Sequence, residues 1–292
     1  IYLTSWCGIF KSIDGGKNWY KINTGLKSLY VESIIIDPKN PKILYAATRG
    51  GGIFKSTDEG KTWYEINNGI KNLYINTLTI DPIDSNILYA GTFRSGYVFK
   101  SINGGNSWVT VYEYKEDIGY GVSSIAVDPN NNQIIYLVTA SAVSKSIDGG
   151  KSWKELLKDF YNPYENVHTR SAVKIIIDPN NTQVLYATTL IGIFKSTNGG
   201  LTWRCINKGL KDIWVLSIII DPKNSNILYV CTYDEEIFSG VYKTIDGGEN
   251  WFEINKGLNA KKFVHLAIDP INTQIVYALS DRYGLFKYNK IY

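Results

Sequence analysis

The sequence predicts an all-β chain, a seven-bladed β-propeller of four-stranded antiparallel blades with the first and last blades incomplete, and three observations lead there. A tryptophan closes the same short motif six times, at Trp19, Trp63, Trp108, Trp153, Trp203 and Trp251, with spacings of 44, 45, 45, 50 and 48 residues. Each interval holds about four strands. Between the tryptophans, four apolar runs recur in a fixed order, and their copies add to 26 strands, two short of seven complete blades. Six blades plus a partial one is the alternative count.

The first run, strand A, spans 31–36, 75–80, 122–127, 173–177, 215–220 and 264–268. Every copy stops at Asp-Pro, from Asp37-Pro38 to Asp269-Pro270. Proline cannot donate to a ladder and aspartate caps its own turn, so the strand ends there. Strand B carries Ile-Leu-Tyr or a close variant, as at Ile43-Leu44-Tyr45 and Ile227-Leu228-Tyr229. Strand C is clearest as Gly-Ile-Phe-Lys-Ser, at 8–12, 52–56 and 192–196. Strand D starts near each Trp and runs toward Gly-Leu or Gly-Ile, as at Gly25-Leu26 and Gly69-Ile70. Runs such as Ile34-Ile35-Ile36 suggest A strands packed on both faces, and no terminal unit has the polar outer face of a solenoid cap, which favours radial closure.

A chain of 292 residues, 44% hydrophobic, can bury a large core as one domain over 1–292. Its net charge of +4 and sparse arginines argue against nucleic acid or an anionic membrane as partner. No stretch is apolar for the ~18 residues a membrane helix needs. The three cysteines show no metal or redox spacing, and Cys205 and Cys231 are expected as buried free thiols within strands. No metal or cofactor is expected. The start at Ile1, inside a repeat and without methionine, suggests a processed protein or an excised piece.

The turn between strands C and D reads Ser12-Ile13-Asp14-Gly15-Gly16-Lys17-Asn18-Trp19, with the acidic position recurring as Asp58, Asn103, Asp148, Asn198 and Asp246. Aspartate accepts backbone N–H groups, glycine permits positive φ, and the indole covers the hairpin. An amide can replace a carboxylate as a turn acceptor but not as an acid, base or strong calcium ligand, so Asn103 and Asn198 favour a structural role for all six turns. This pattern resembles the Asp-box, or bacterial neuraminidase repeat, of S-x-D-x-G-x-T-W type. The resemblance implies a propeller with the motif on outer hairpins away from any active site. That superfamily includes sialidases, xyloglucan-degrading hydrolases, sorting-receptor ectodomains and photosystem assembly factors.

In such a blade the repetitive turns share one rim, and the D–A and B–C loops share the other. The second rim is where the repeats diverge. Seven residues before each strand-A Asp stand Tyr30, Tyr74, Gly121, Ser171, Trp214 and Lys262, with Phe263 one position later in the last unit. Longer loops add Tyr120, and the B–C loops add Arg49, Phe93, Arg94, Tyr233 and Arg282. Tyr30, Tyr74, Tyr120, Trp214, Phe263, Arg49, Arg94 and Arg282 are therefore the candidate ligand-binding residues, though Phe263, out of step, suits the core. Aromatics with a few arginines suit a polysaccharide through stacking, or a protein through anchor residues. His265, on strand A, is expected to be a packed channel residue.

Catalysis has thinner support. Glycoside hydrolysis needs two carboxyl groups ~5–9.5 Å apart, and the candidates are Asp234, Glu235, Glu236 and Asp281. The early Arg-Ile-Pro element of sialidases is absent from the sequence. The resembling xyloglucan hydrolases build their cleft between two propellers. The expected function is a non-catalytic binding module of an exported or surface protein, with a xyloglucanase-like hydrolase or a protein-assembly scaffold as alternatives.

Overall fold

The computed structural model describes residues 1–292 apart from 115–120, 140–141, 158–159, 164–166, 170–171, 212, 234–239, 257, 259–261, 281–283 and 290–292; for 161–162, 167–169 and 289 it describes the backbone alone. The chain forms two compact units, Ile1–Ala140 with Ser144–Lys154, and Ser141–Val143 with Glu155–Tyr292. The strands are β1 (Tyr2–Ser5), β2 (Gly8–Lys11), β3 (Tyr20–Lys21), β4 (Val31–Ile36), β5 (Leu44–Thr48), β6 (Gly52–Ser56), β7 (Tyr64–Glu65), β8 (Ile75–Ile80), β9 (Leu88–Thr92), β10 (Tyr97–Ser101), β11 (Val109–Glu113), β12 (Val122–Val127), β13 (Ile135–Thr139) and β14 (Val143–Ser146). They continue with β15 (Lys154–Leu157), β16 (Phe160–Asn162), β17 (Val167–Thr169), β18 (Ala172–Ile177), β19 (Leu185–Thr189), β20 (Gly192–Ser196), β21 (Arg204–Cys205), β22 (Val215–Asp221), β23 (Asn224–Thr232), β24 (Val241–Thr244), β25 (Phe252–Glu253), β26 (Phe263–Ile268), β27 (Ile275–Ser280) and β28 (Gly284–Asn289).

Consecutive strands pair antiparallel into the seven blades of a β-propeller, with three strands in the first blade (β1–β3) and the last (β26–β28) and four in each of the others. No helix occurs among the described residues. The hairpin β16–β17 stands outside the blades and has no counterpart among the described residues of the other repeats.

The complete blades bury their B strands entirely, because both faces are covered: β5, β9, β13, β19 and β23 are buried at every position or at their last five positions for β23. The A strands are less completely buried than the B strands. Their first residues, such as Val31, Ile75 and Val215, are buried, but intervening residues keep surface and Ile36 is exposed. Both faces nevertheless pack: Ile34 and Ile35 of β4 join different apolar clusters, as Ile218 and Ile219 of β22 do.

Within each unit, successive blades are joined by recurring polar contacts. Trp63, Trp108 and Trp153 donate their indole N–H groups to the carbonyls of Ile22, Ile66 and Val111 in the preceding repeat, and Trp251 does so to Ile206. Tyr45 Oη and Lys55 Nζ both donate to the Gly104 carbonyl of the next turn, as Tyr89 and Lys100 do to Gly149 and Tyr186 and Lys195 do to Gly247. Trp19 instead donates to Gly16 within its own turn.

Strand D is shorter than the pattern suggests, two residues in four blades. The reason is a side chain. Asn23, Asn67, Asn207 and Asn255 accept the N–H of Ile9, Ile53, Ile193 and Val241 at 2.7, 2.7, 2.8 and 2.7 Å, in place of a backbone carbonyl. Asn23, Asn67 and Asn207 also donate to the carbonyls of Cys7, Gly51 and Ile191. Blades three and four lack this asparagine, and there the backbone continues the ladder through the longer β11 and β15.

The six C–D turns share one hydrogen-bond pattern. Ser12 Oγ donates to Asp14 and accepts from Gly16 N, while Asp14 accepts from Asn18 N at 2.9 Å. Thr62 Oγ1 donates to Asp58 at 2.6 Å, whereas Asn103 and Asn198 accept the backbone N–H and donate through Nδ2 to Ser107 Oγ and Thr202 Oγ1. The amide reverses one bond and keeps the turn.

Bonds from the residue four positions on, Asn18, Thr62, Ser152 and Asn250, hold Asp14, Asp58, Asp148 and Asp246 at about 2, below the ordinary 3.8. A lowered carboxylate pKa means the folded state binds fewer protons than the unfolded one, so its stabilisation is full above about 3.8 and disappears as pH falls through about 2. Urea midpoints of the fourfold variant with asparagine at these positions should therefore depend less on pH between ~4 and ~2 than those of the native chain. Equal pH dependence would remove the turns as acid-sensitive elements.

Candidate functional site

The loops that precede strand A and follow strand B carry a stacked column of side chains in the first unit. The backbone sets its register. Arg49 N donates to Tyr30 O and Phe93 N to Tyr74 O, both at 2.9 Å, and Arg49 bridges Tyr74 as an isolated β-pair. Ser28 Oγ fixes the Arg49 carbonyl at 2.8 Å.

On this backbone, Trp6 stacks on Tyr30 with ring centroids 5.5 Å apart and planes at 18°. The Arg49 guanidinium lies 4.6 Å from the Tyr30 centroid and 4.2 Å from that of Phe93, and Arg94 lies 5.8 Å from Phe93. Arg49 Nε forms an ion pair with Glu32, the second residue of β4. Burial outweighs the attraction of Arg49 and pushes the Glu32 carboxyl upward. Stacking and cation–π contacts of this kind contribute about 0.5–1.5 kcal/mol each. More important for recognition, they hold the column in one arrangement before any ligand arrives.

Trp6 is 73% exposed and Tyr74 56%, and Leu29 and Leu73, which precede Tyr30 and Tyr74, are also exposed. Asn72 accepts the Tyr74 N–H at 2.9 Å. The column therefore presents aromatic, aliphatic and guanidinium groups to solvent.

The second unit carries a smaller cluster built the same way. Tyr233 N donates to Trp214 O at 2.8 Å, the Trp214 and Tyr233 rings stack at 6.0 Å and 6°, and Lys262 Nζ lies 5.0 Å from the Tyr233 centroid. The same unit contains a cleft lined by Leu157, Phe160, Phe194, Trp203 and Cys205. Phe160, on the extra hairpin, packs 4.9 Å from Phe194 and 6.1 Å from Trp203.

Of the residues singled out by sequence, Tyr30, Tyr74, Arg49 and Arg94 come together in the first unit, and Trp214 lies in the second. Tyr120, Arg282, Asp234, Glu235, Glu236 and Asp281 fall outside the described residues.

Phe263 is corrected: it is fully buried and packs edge-on against Phe286 at 5.7 Å. It occupies the inward first position of its A strand, equivalent to Val31 and Ile75, and Lys262 takes the loop position. Two further expectations change. Cys205 is half-buried at the cleft because β21 is its blade's outermost strand, while Cys231 is buried. His265 keeps exposed surface although β22 packs against β26 and surrounding atoms lower its pKa.

Trp6 and Glu32 escaped the sequence reading. Trp6 follows strand B of the first unit directly, the position of Arg49 and Phe93 in the next two, so the repeat register could have revealed it. Glu32 could not be found this way, since its role depends on Arg49 folding back over β4.

Blades of this kind define a β-propeller, and comparisons with known proteins agree with the fold. Residues 8–143 match the family model described as sortilin, neurotensin receptor 3 (Sortilin-Vps10). No curated protein matches the chain. Among solved structures, an ancestral GH74 enzyme is similar at 25% identity and a TM-score of 0.72, covering 95% of this chain and 37% of that one. The GH74 enzyme of Niastella koreensis is similar at 22% identity and a TM-score of 0.75, covering 97% and 49%. YCF48 bound to D1 peptide is similar at 15% identity and a TM-score of 0.71, covering 99% and 88%. The chain thus spans half or less of the length of these two GH74 enzymes.

Proposed function

We propose that this chain is a non-catalytic binding module that holds a polymeric ligand on its D–A and B–C loops. The observation that carries the reading is the preorganised column Trp6–Tyr30–Arg49–Phe93–Arg94. A protein ligand is favoured. Tyr30 is already stacked by Trp6 and Arg49, and Phe93 by Arg49 and Arg94, so the column offers ring edges, N–H groups and flanking leucines more than open ring faces. Tryptophan, tyrosine and arginine in an apolar setting are the usual anchors of protein interfaces. YCF48, a solved structure of similar fold, was captured with a D1 peptide, which is a precedent for this fold holding a polypeptide.

A glycan is the second reading, supported by the 73% exposure of Trp6. The six Ser/Thr-x-Asp/Asn turns are read as Asp-boxes in this proposal, and export or surface display rests on that resemblance.

Binding to polypeptide and polysaccharide arrays should weaken roughly tenfold or more in Trp6→Ala and Tyr74→Ala, the scale of an interface anchor. Phe252→Ala, which removes an exposed aromatic from β25, should bind like the native chain. Native binding by all three variants would sink the assignment, and release of reducing ends from a glycan panel would replace it with a hydrolase.

A further inference from the structure

Every A strand of the complete series carries a β-bulge at the same place, and the residue after the bulge differs between the two units. In the first unit it is Ser33, Thr77 or Ser124. In the second it is Lys174 on β18, Ser217 on β22 and His265 on β26. Strand β22 packs against both β18 and β26, so Ser217 stands between the two cationic positions. Ser217 Oγ accepts the N–H of Leu266, the residue after His265, at 3.3 Å, which leaves its own O–H to donate.

The surroundings leave positive charge without compensation. Cys231 faces Ser217 across the β22–β23 ladder, and burial pushes its thiol up to about 12, so it is neutral at ordinary pH. Burial lowers the pKa of Lys174, and burial together with repulsion from Lys174 lowers that of His265. His265 pairs with Leu279 on β27 and β22 packs against its strand, and Lys174 is the titratable group acting on it among the described residues, with Cys231 acting in turn on Lys174. Among the described residues, neither Lys174 nor His265 forms an ion pair. His265 nevertheless keeps solvent-accessible surface. Two groups able to carry positive charge, one hydroxyl donor and no described carboxylate form the chemistry of an anion site.

We propose that Lys174, Ser217 and His265 form a binding site for an oxyanion, a phosphate or carboxylate group. This goes beyond the loop-borne ligand surface and uses none of its residues. An oxyanion here would accept from the ammonium, the hydroxyl and the imidazole ring, and its charge would favour the protonated forms of both bases.

The test is an NMR titration of the two histidines in phosphate and in sodium chloride at equal ionic strength, with His265 assigned through His265→Gln. Phosphate should raise the His265 pKa saturably by about one pH unit, the size an opposite charge at ~4–6 Å produces. In Lys174→Gln, His265 should start higher, having lost a like charge, and the phosphate effect should largely vanish; Lys174→Arg should retain it. Repeating the titration with acetate decides whether a carboxylate is also accepted. Equal His265 titration in phosphate and chloride, or a phosphate effect undiminished in Lys174→Gln, overturns the proposal.

Discussion

Gly69→Ala is expected to destabilise the protein by about 3 kcal/mol, from left-handed backbone strain and a damaged strap between blades. Gly69 has φ of +92°, and a Cβ built there would stand 2.1 Å from the Trp108 carbonyl oxygen. That oxygen cannot retreat freely, because Trp108 N donates to Asn68 O at 2.9 Å and the indole donates to Ile66 O at 2.7 Å. Gly284→Ala is the control: φ is +85° and nothing lies within 4 Å of the new Cβ, so backbone strain alone of ~1 kcal/mol is expected. Urea unfolding of both variants separates the two causes. Equal losses would mean that the contact with Trp108 contributes nothing.

Asn207→Ala should cost about 2–4 kcal/mol by the same measurement, because one truncation orphans two buried backbone groups. Asn207 accepts from Ile193 N at 2.8 Å and donates to Ile191 O at 3.0 Å, and all these groups are buried. It also lies over Gly192, where a Cβ would meet its amide within 2.4 Å, so no neighbouring side chain can substitute for it. Asn207→Asp keeps the acceptor but sets a carboxylate oxygen against the Ile191 carbonyl, and it should not recover the native stability. A loss below ~0.5 kcal/mol in Asn207→Ala would show that water or backbone takes over the ladder.

These two residues also mark how far the fold was readable beforehand. The turns, the Asp-Pro stops and the count of blade strands were visible because each follows from local chemistry repeated at fixed spacing. The asparagine after strand D was equally repetitive, in Ile-Asn-x-Gly at Asn23, Asn67, Asn207 and Asn255, but its meaning depends on reaching back across a hairpin to strand C. The hairpin β16–β17 was hidden for the opposite reason, since it occurs once among the described residues and has no repeat there to expose it.

The candidate site divides in the same way. Repeat register pointed to Tyr30, Tyr74 and Trp214 as loop residues, and it should have pointed to Trp6. Register also says which position faces inward, and Phe263 illustrates the error of counting it one residue late.

For this protein, the sequence by itself determined the class of fold, the number of its blades and the chemistry of its turns, because strand pairing and turn capping act over a few residues and recur in every unit. The tertiary structure alone decided that Trp6, Tyr30, Arg49 and Phe93 form one column, and that Lys174 repels His265. Those partners are tens of residues apart in the chain and meet because successive blades bring equivalent loop and bulge positions together. Stacking and Coulomb forces depend on that distance in space, which spacing along the chain does not encode.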